Sequence, residues 1–116
     1  MRDVKRRRYI VASLIALAGV GALVMALPSQ GAGLKVRLLG IRYRPATFTI
    51  HAGEAVTFKN DSRYTHTATC PKCGIDSGDI QPGALKTVTF PKAGTFQLVC
   101  RYHGEQGMVA TLTVKP

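Results

Sequence analysis

From Leu34 onward, apolar and polar residues alternate with a period of two, the spacing at which successive side chains point to opposite faces of a strand. LKVRLL places Leu34, Val36 and Leu38 on one face, TFTI places Phe48 and Ile50, and AVTFK places Val56 and Phe58. Further on, KTVTF offers Val88 and Phe90, TFQLVC offers Phe96 and Leu98, and VATLTV offers Ala110, Leu112 and Val114. Turn-forming residues separate these runs at Ala52-Gly53-Glu54, Asn60-Asp61-Ser62, Gln81-Pro82-Gly83 and Lys92-Ala93-Gly94. Short strands at this spacing, with no helical period among them, predict an antiparallel sandwich or barrel.

The pattern before Leu34 is different. Residues 9–27, YIVASLIALAGVGALVMAL, form a continuous run without a charge, long enough as a helix to nearly cross a hydrocarbon core of about 30 Å. The flank MRDVKRRR sets five Lys or Arg against one Asp, which under the positive-inside rule keeps the N-terminus cytoplasmic and sends the remainder outside. The reading is an export segment, either a retained anchor or, given small residues near Ala26 and Gly31, a cleaved signal. Arg6 and Arg7, followed by Tyr9 and Ile10, also resemble a twin-arginine signal, although a flank this basic contains adjacent arginines in any case. The chain therefore divides into a basic flank with its apolar segment (1–27), the linker LPSQGAG running into residue 33, and one domain at 34–116.

Charge narrows the partners. The formal net charge is +10, but residues 28–116 hold eleven basic and five acidic residues, dispersed along the sequence. A modestly basic exported domain is a poor candidate for nucleic acid. It suits an acidic redox partner or anionic lipid headgroups, through encounter rates that salt weakens.

Candidate chemistry concentrates in CRYHGEQGM, Cys100 to Met108. A thiolate, an imidazole and a thioether in one loop suit a thiophilic metal better than covalent catalysis. Cys100 is in phase with Phe96 and Leu98, and Met108 with Ala110, Leu112 and Val114, so both enter the interior, with His103 on the connection between them. A fourth donor must come from another strand end, and His66 in YTHTATC, directly after a turn, is the candidate. His51 is in phase with Thr47 and Thr49 and reads as solvated.

These residues carry a family resemblance. The segment from Tyr43 to Pro116 resembles the cupredoxins, nearest to their plastocyanin and amicyanin branch. It has YRPATFTIHAGEAVTFKN, a lone histidine, QPG, FPKAGTFQLVC, and Cys-x2-His-x4-Met in CRYHGEQGM. The resemblance implies an all-β Greek-key β-sandwich, here preceded by the N-terminal export or anchor helix. It also implies one type 1 copper cycling between Cu(I) and Cu(II), with His66, Cys100 and His103 as strong ligands and Met108 as the weak axial one. The implied activity is electron transfer between redox protein partners; the N-terminal segment adds a membrane-anchored or secreted location outside the cytoplasmic membrane, and four ligands leave no open position for a substrate, so a monomeric carrier rather than an enzyme is expected. It further implies that His103 reaches the surface within an apolar docking patch that includes Gly104 and Gly107. Two positions depart from the family pattern. Thr67 stands where an asparagine usually links the two ligand loops, which leaves open whether that hydrogen bond is made. Tyr102 takes the place of a proline, leaving the loop less constrained.

CPKC, Cys70 to Cys73, is the larger departure, and three readings compete. A Cys70–Cys73 disulfide would suit an oxidising compartment and leave Cys100 free. A reduced pair would handle a second copper in trafficking or storage. Finally, Cys70, Cys73, Cys100 and His103 spell a Cys3His zinc set, although with a long gap between its halves and no role for His66 or Met108.

Overall fold

The alternating runs become strands in the computed structural model, which describes residues 33–116. In chain order they are β1 (Leu34–Leu39), β2 (Arg42–Arg44), β3 (Thr47–His51), β4 (Ala55–Asn60), β5 (Thr69–Cys70), β6 (Ile75–Asp76), β7 (Leu85–Thr89), β8 (Gly94–Val99) and β9 (Val109–Lys115). One sheet has the order β2-β1-β4-β7 and the other β3-β9-β8-β5-β6, and their inner faces form the sandwich. The only helical turns among the described residues are two short 3-10 turns, at Pro71–Cys73 and Gly104–Gln106. The expected export or anchor helix lies outside the described residues.

Burial follows the period of two. In β3, Phe48 and Ile50 are buried between the exposed Thr47, Thr49 and His51, and in β9 Ala110, Leu112 and Val114 are buried in turn. Val36, Leu38, Val56 and Phe58 face them from the other sheet, and among the described residues the buried core runs from Val36 to Val114. Phe96 and Val88, predicted to face inward, are only partly buried.

The sheets are mixed rather than antiparallel. β1 runs parallel to β4, and β3 parallel to β9. After the short β2 hairpin strand, the chain crosses to the other sheet near the cis Arg44–Pro45 bond, so the strands that return beside β1 and β3 arrive in the same direction. Alternation along one strand is blind to the direction of its neighbour, which is why the pattern missed this. It also missed β2, β5 and β6, whose two or three residues are too few to show a period.

β1 and β4 end where β8 ends and β9 begins. Gly40, directly after β1, bonds to His66 through its carbonyl, and Cys100 and Met108 continue β8 and precede β9. All four candidate ligands therefore come from one end of the sandwich.

Candidate metal centre

β8 delivers Cys100 into the interior, where it is fully buried. The chain then turns back on itself through its own backbone bonds. Gly104 N–H donates to the Cys100 carbonyl at 2.8 Å, Met108 N–H to the His103 carbonyl at 3.2 Å, and Cys100 N–H to the Met108 carbonyl at 3.2 Å. Two glycines make this loop possible. Gly107 ends the 3-10 turn at φ +92°, in the left-handed region, and a Cβ on Gly104 would stand 2.5 Å from the Val99 Cγ2 atom. Met108, fully buried, then starts the path into β9.

His66 arrives from the opposite side and is also fully buried. It is held by a two-bond bridge to Ile80, N–H to carbonyl in both directions at 3.1 and 2.7 Å. Its Nε2 lies 2.8 Å from the Gly40 carbonyl and 2.9 Å from the Ser62 hydroxyl. A carbonyl can only accept, so Nε2 carries the proton, and Nδ1 presents its lone pair inward. Burial lowers the His66 pKa, with the neighbouring His103 adding to the shift, and so favours the neutral ring that a metal requires.

The two imidazoles converge on one sulfur. Cys100 Sγ lies 3.7 Å from His66 Nδ1 and 3.5 Å from His103 Nδ1, and the ring centroids of the two histidines are 4.9 Å apart. Among the described residues, His66, Cys100 and His103 are the one set of three His, Cys, Asp or Glu whose donor atoms all lie within 4.8 Å of one another. Two imidazole nitrogens around a buried thiol is a donor chemistry for a soft or borderline metal, and copper fits it. His51 sits at the solvent-exposed end of β3 beside Glu54, as expected.

Thr67 answers the question its position raised. Its Oγ1 accepts the Arg101 N–H at 2.9 Å, and its own N–H points to Cys100 Sγ at 3.4 Å. The hydroxyl makes the link between the ligand loops, and the backbone N–H of the same residue supplies a donor to the sulfur. Thr67→Val, nearly isosteric, is expected to strand the Arg101 N–H and lower stability by about 1–2 kcal/mol. A melting temperature unchanged from the parent would show that the loops are joined some other way.

Tyr102 does not leave its loop loose. Its hydroxyl donates to Asp79 at 2.6 Å, and the neighbouring Arg101 pairs with Asp76 at 3.0 Å. The segment Ile75–Ile80 thus straps the ligand loop from outside, a constraint that replaces the ring of a proline. His103 is half-buried, and around it stand Tyr64 and Tyr102, 46% and 53% exposed, with ring centroids 5.8 and 6.4 Å away. The exposed rim is therefore aromatic as well as glycine-lined.

Cys70 and Cys73 are joined by a disulfide across the Pro71–Cys73 turn, and Cys100 is the free cysteine. Both alternatives for CPKC needed free thiols. Neither sulfur belongs to the cluster around Cys100, so the Cys3His set is not assembled in this structure.

Two contributors escaped the sequence reading. Asn60, fully buried, donates through Nδ2 to the Tyr64 and Ile80 carbonyls at 2.7 and 2.8 Å and accepts through Oδ1 from Ser62 N–H and hydroxyl at 2.9 and 2.8 Å. Tyr43, also buried, donates to the Thr67 carbonyl at 2.6 Å. By its neighbours Asn60 reads as a turn residue, and the inward phase it shares with Val56 and Phe58 is the signal that it is more than that.

Comparison with known proteins agrees with this geometry. Residues 13–114 match the cupredoxin-like domain family. A chloroplastic plastocyanin from Oryza sativa subsp. indica is 30% identical, the match covering 97% of this chain and 86% of that one. Among solved structures, the Cu(I) form of an amicyanin mutant with a methionine changed to alanine superposes with a TM-score of 0.64 at 19% identity, covering 78% of this chain and 88% of that one. A copper-containing nitrite reductase from Thermus scotoductus also gives 0.64 at 20% identity, covering 72% of this chain but 22% of the larger protein. At these identities the structural matches speak for the fold.

Proposed function

Because the chain belongs to the cupredoxin-like domain family, we propose that it is a one-electron carrier with a single copper held by His66, Cys100, His103 and Met108. The observation that carries this reading is the pair of Nδ1 atoms converging on the one free thiol. Copper supplies the Cu(I)/Cu(II) couple in such a site, and three strong donors with a weak axial thioether suit both oxidation states.

The chain's own residues do the rest. The Gly40 carbonyl fixes the tautomer of His66, the Thr67 N–H donates toward the thiolate, and the Tyr102–Asp79 and Arg101–Asp76 contacts hold the ligand loop. A frame fixed this firmly keeps the ligands in place when the oxidation state changes, which favours fast transfer. His103, half-buried between two exposed tyrosines, is the route to a redox partner. With four ligands the site offers no open position for a substrate, which supports a carrier rather than an enzyme. The disulfide fits an oxidising, extracytoplasmic location, with residues 9–27 as the anchor or signal. A copper-trafficking module built on CPKC would need the two thiols that this bond consumes.

The test is copper loading of the purified chain. An intense thiolate-to-copper charge-transfer band, with narrow hyperfine splitting in electron paramagnetic resonance and one copper per chain, is the expected result. A colourless protein holding zinc and indifferent to copper would overturn the reading. For the axial position, Met108→Leu is expected to retain copper and raise the reduction potential by at least about 59 mV, a tenfold shift in a one-electron couple. Complete loss of copper would instead make Met108 a primary ligand.

A further inference from the structure

Five of the eleven basic residues scattered along residues 28–116 come together in the fold. Strand register sets Arg44, Arg37 and Lys59 side by side across β2, β1 and β4. Lys35 lies two residues before Arg37, toward the start of β1, and Arg42 two before Arg44, opposite Leu39 on the other side of the row; both are on the same outward face, because Val36, Leu38, Tyr43 and Phe58 occupy the alternate, buried positions. Five of the domain's cations therefore share the outer surface of the first sheet. Asp61, bonded to Arg37 and Lys59 at 2.7 Å each, is the carboxylate placed against them. Asp76 and Asp79 are engaged at the ligand loop, and Glu54 at the His51 turn.

We propose that this face docks on the anionic phosphate headgroups of the membrane in which residues 9–27 are anchored; the inference rests on that anchor reading. Two features choose lipid over an acidic protein. First, the cationic part of the face carries no aromatic side chain, whereas the cores of protein interfaces are enriched in aromatics. Second, the six residues 28–33 that separate the apolar segment from β1 reach at most about 20 Å when fully extended, so the tether itself brings Lys35 and Arg37 to the headgroup region. Leu34 lies at the far end of β1 from Gly40 and the metal centre. A sandwich lying on its first sheet thus leaves the His103 loop, carried by the second sheet, clear of the bilayer at the end remote from the tether.

The experiment uses residues 28–116, with folding first checked by circular dichroism, and vesicles containing phosphatidylglycerol or made of phosphatidylcholine alone. Binding to the anionic vesicles and its loss in high salt are expected. Each cation near an anionic surface strengthens partitioning roughly fivefold, so Lys35→Gln, Arg42→Gln and Arg44→Gln together should weaken it on the order of 100-fold. A control with the same change in net charge, Lys72→Gln, Lys92→Gln and Lys115→Gln, should weaken it by no more than a few fold. Equal losses in the two triple variants would reduce the effect to net charge and overturn the proposal. So would binding that does not distinguish the two lipids, or a first triple variant that loses affinity for a polyglutamate peptide but not for vesicles. Circular dichroism and the copper spectrum of each variant report fold and site separately. A chain that binds vesicles but not copper would sink the carrier reading alone.

Discussion

Replacing Cys100 with serine is expected to abolish the intense visible absorption of the copper-loaded protein while leaving the sandwich folded. The sequence holds three cysteines, and the other two are consumed in the disulfide, so no second thiolate can substitute. A serine hydroxyl is a hard donor with little affinity for Cu(I), and it lacks the sulfur orbitals that make the thiolate-to-copper transition intense. The fold rests mainly on the apolar faces of β1, β3, β4, β8 and β9, and Cys100 is one small member of that core, just past the end of β8. Burying a hydroxyl in place of a thiol should cost the apoprotein about 1–3 kcal/mol at most, partly offset because the Thr67 N–H that faces Cys100 Sγ can donate to the oxygen instead. The check is an absorption and paramagnetic resonance spectrum of the loaded variant beside a thermal melt of the apoprotein. A band of undiminished intensity would remove Cys100 from the site.

The site was more legible than the sheet that carries it, for a physical reason. Cys100, His103 and Met108 sit on one loop between two strands of clear alternation, so phase alone placed two of them inside. His66 was found as the remaining donor after a turn, although its own strand signal amounts to an isolated bridge with Ile80. Strand direction, pairing order and the clustering of cations depend on which strands become neighbours. These are non-local facts that alternation along one strand does not encode, hence the unforeseen parallel pairs and the basic face. The same applies to Tyr102 and Thr67. Read locally, each removed a familiar constraint; in space, Asp79 and the Arg101 N–H supply another. The disulfide was one of three readings for CPKC, because four residues of sequence do not reveal whether their sulfurs meet each other or a metal.

Asn60 offers the most demanding test of how the scaffold holds the site. Its amide makes four hydrogen bonds, two given and two received, in a position with no solvent access. Through Ile80 it reaches the bridge that fixes His66, and through Ser62 it orients a hydroxyl that meets His66 Nε2. Asn60→Ala takes away the acceptor of the Ser62 N–H and hydroxyl and the amide donor to the Tyr64 and Ile80 carbonyls, leaving Ile80 with the His66 N–H alone. Since each buried group left unpaired costs about 1–3 kcal/mol, a total loss of roughly 3 kcal/mol and a fall in Tm of about 15 °C are expected. The copper hyperfine pattern should broaden as His66 loses its fixed orientation. Asn60→Asp separates the two halves of the network. It keeps the acceptor for Ser62 but turns a carboxylate oxygen toward two carbonyls, so its folded pKa must rise above the unfolded value of about 3.9. A group whose folded pKa is raised binds its proton more tightly in the native state, so this variant should gain stability relative to the parent as pH falls from neutrality toward that value. Melts of both variants across that range decide the matter. If Asn60→Ala melts with the parent and keeps its spectrum, the network is incidental. If Asn60→Asp shows no relative recovery in acid, the two carbonyls do not face its side chain as described.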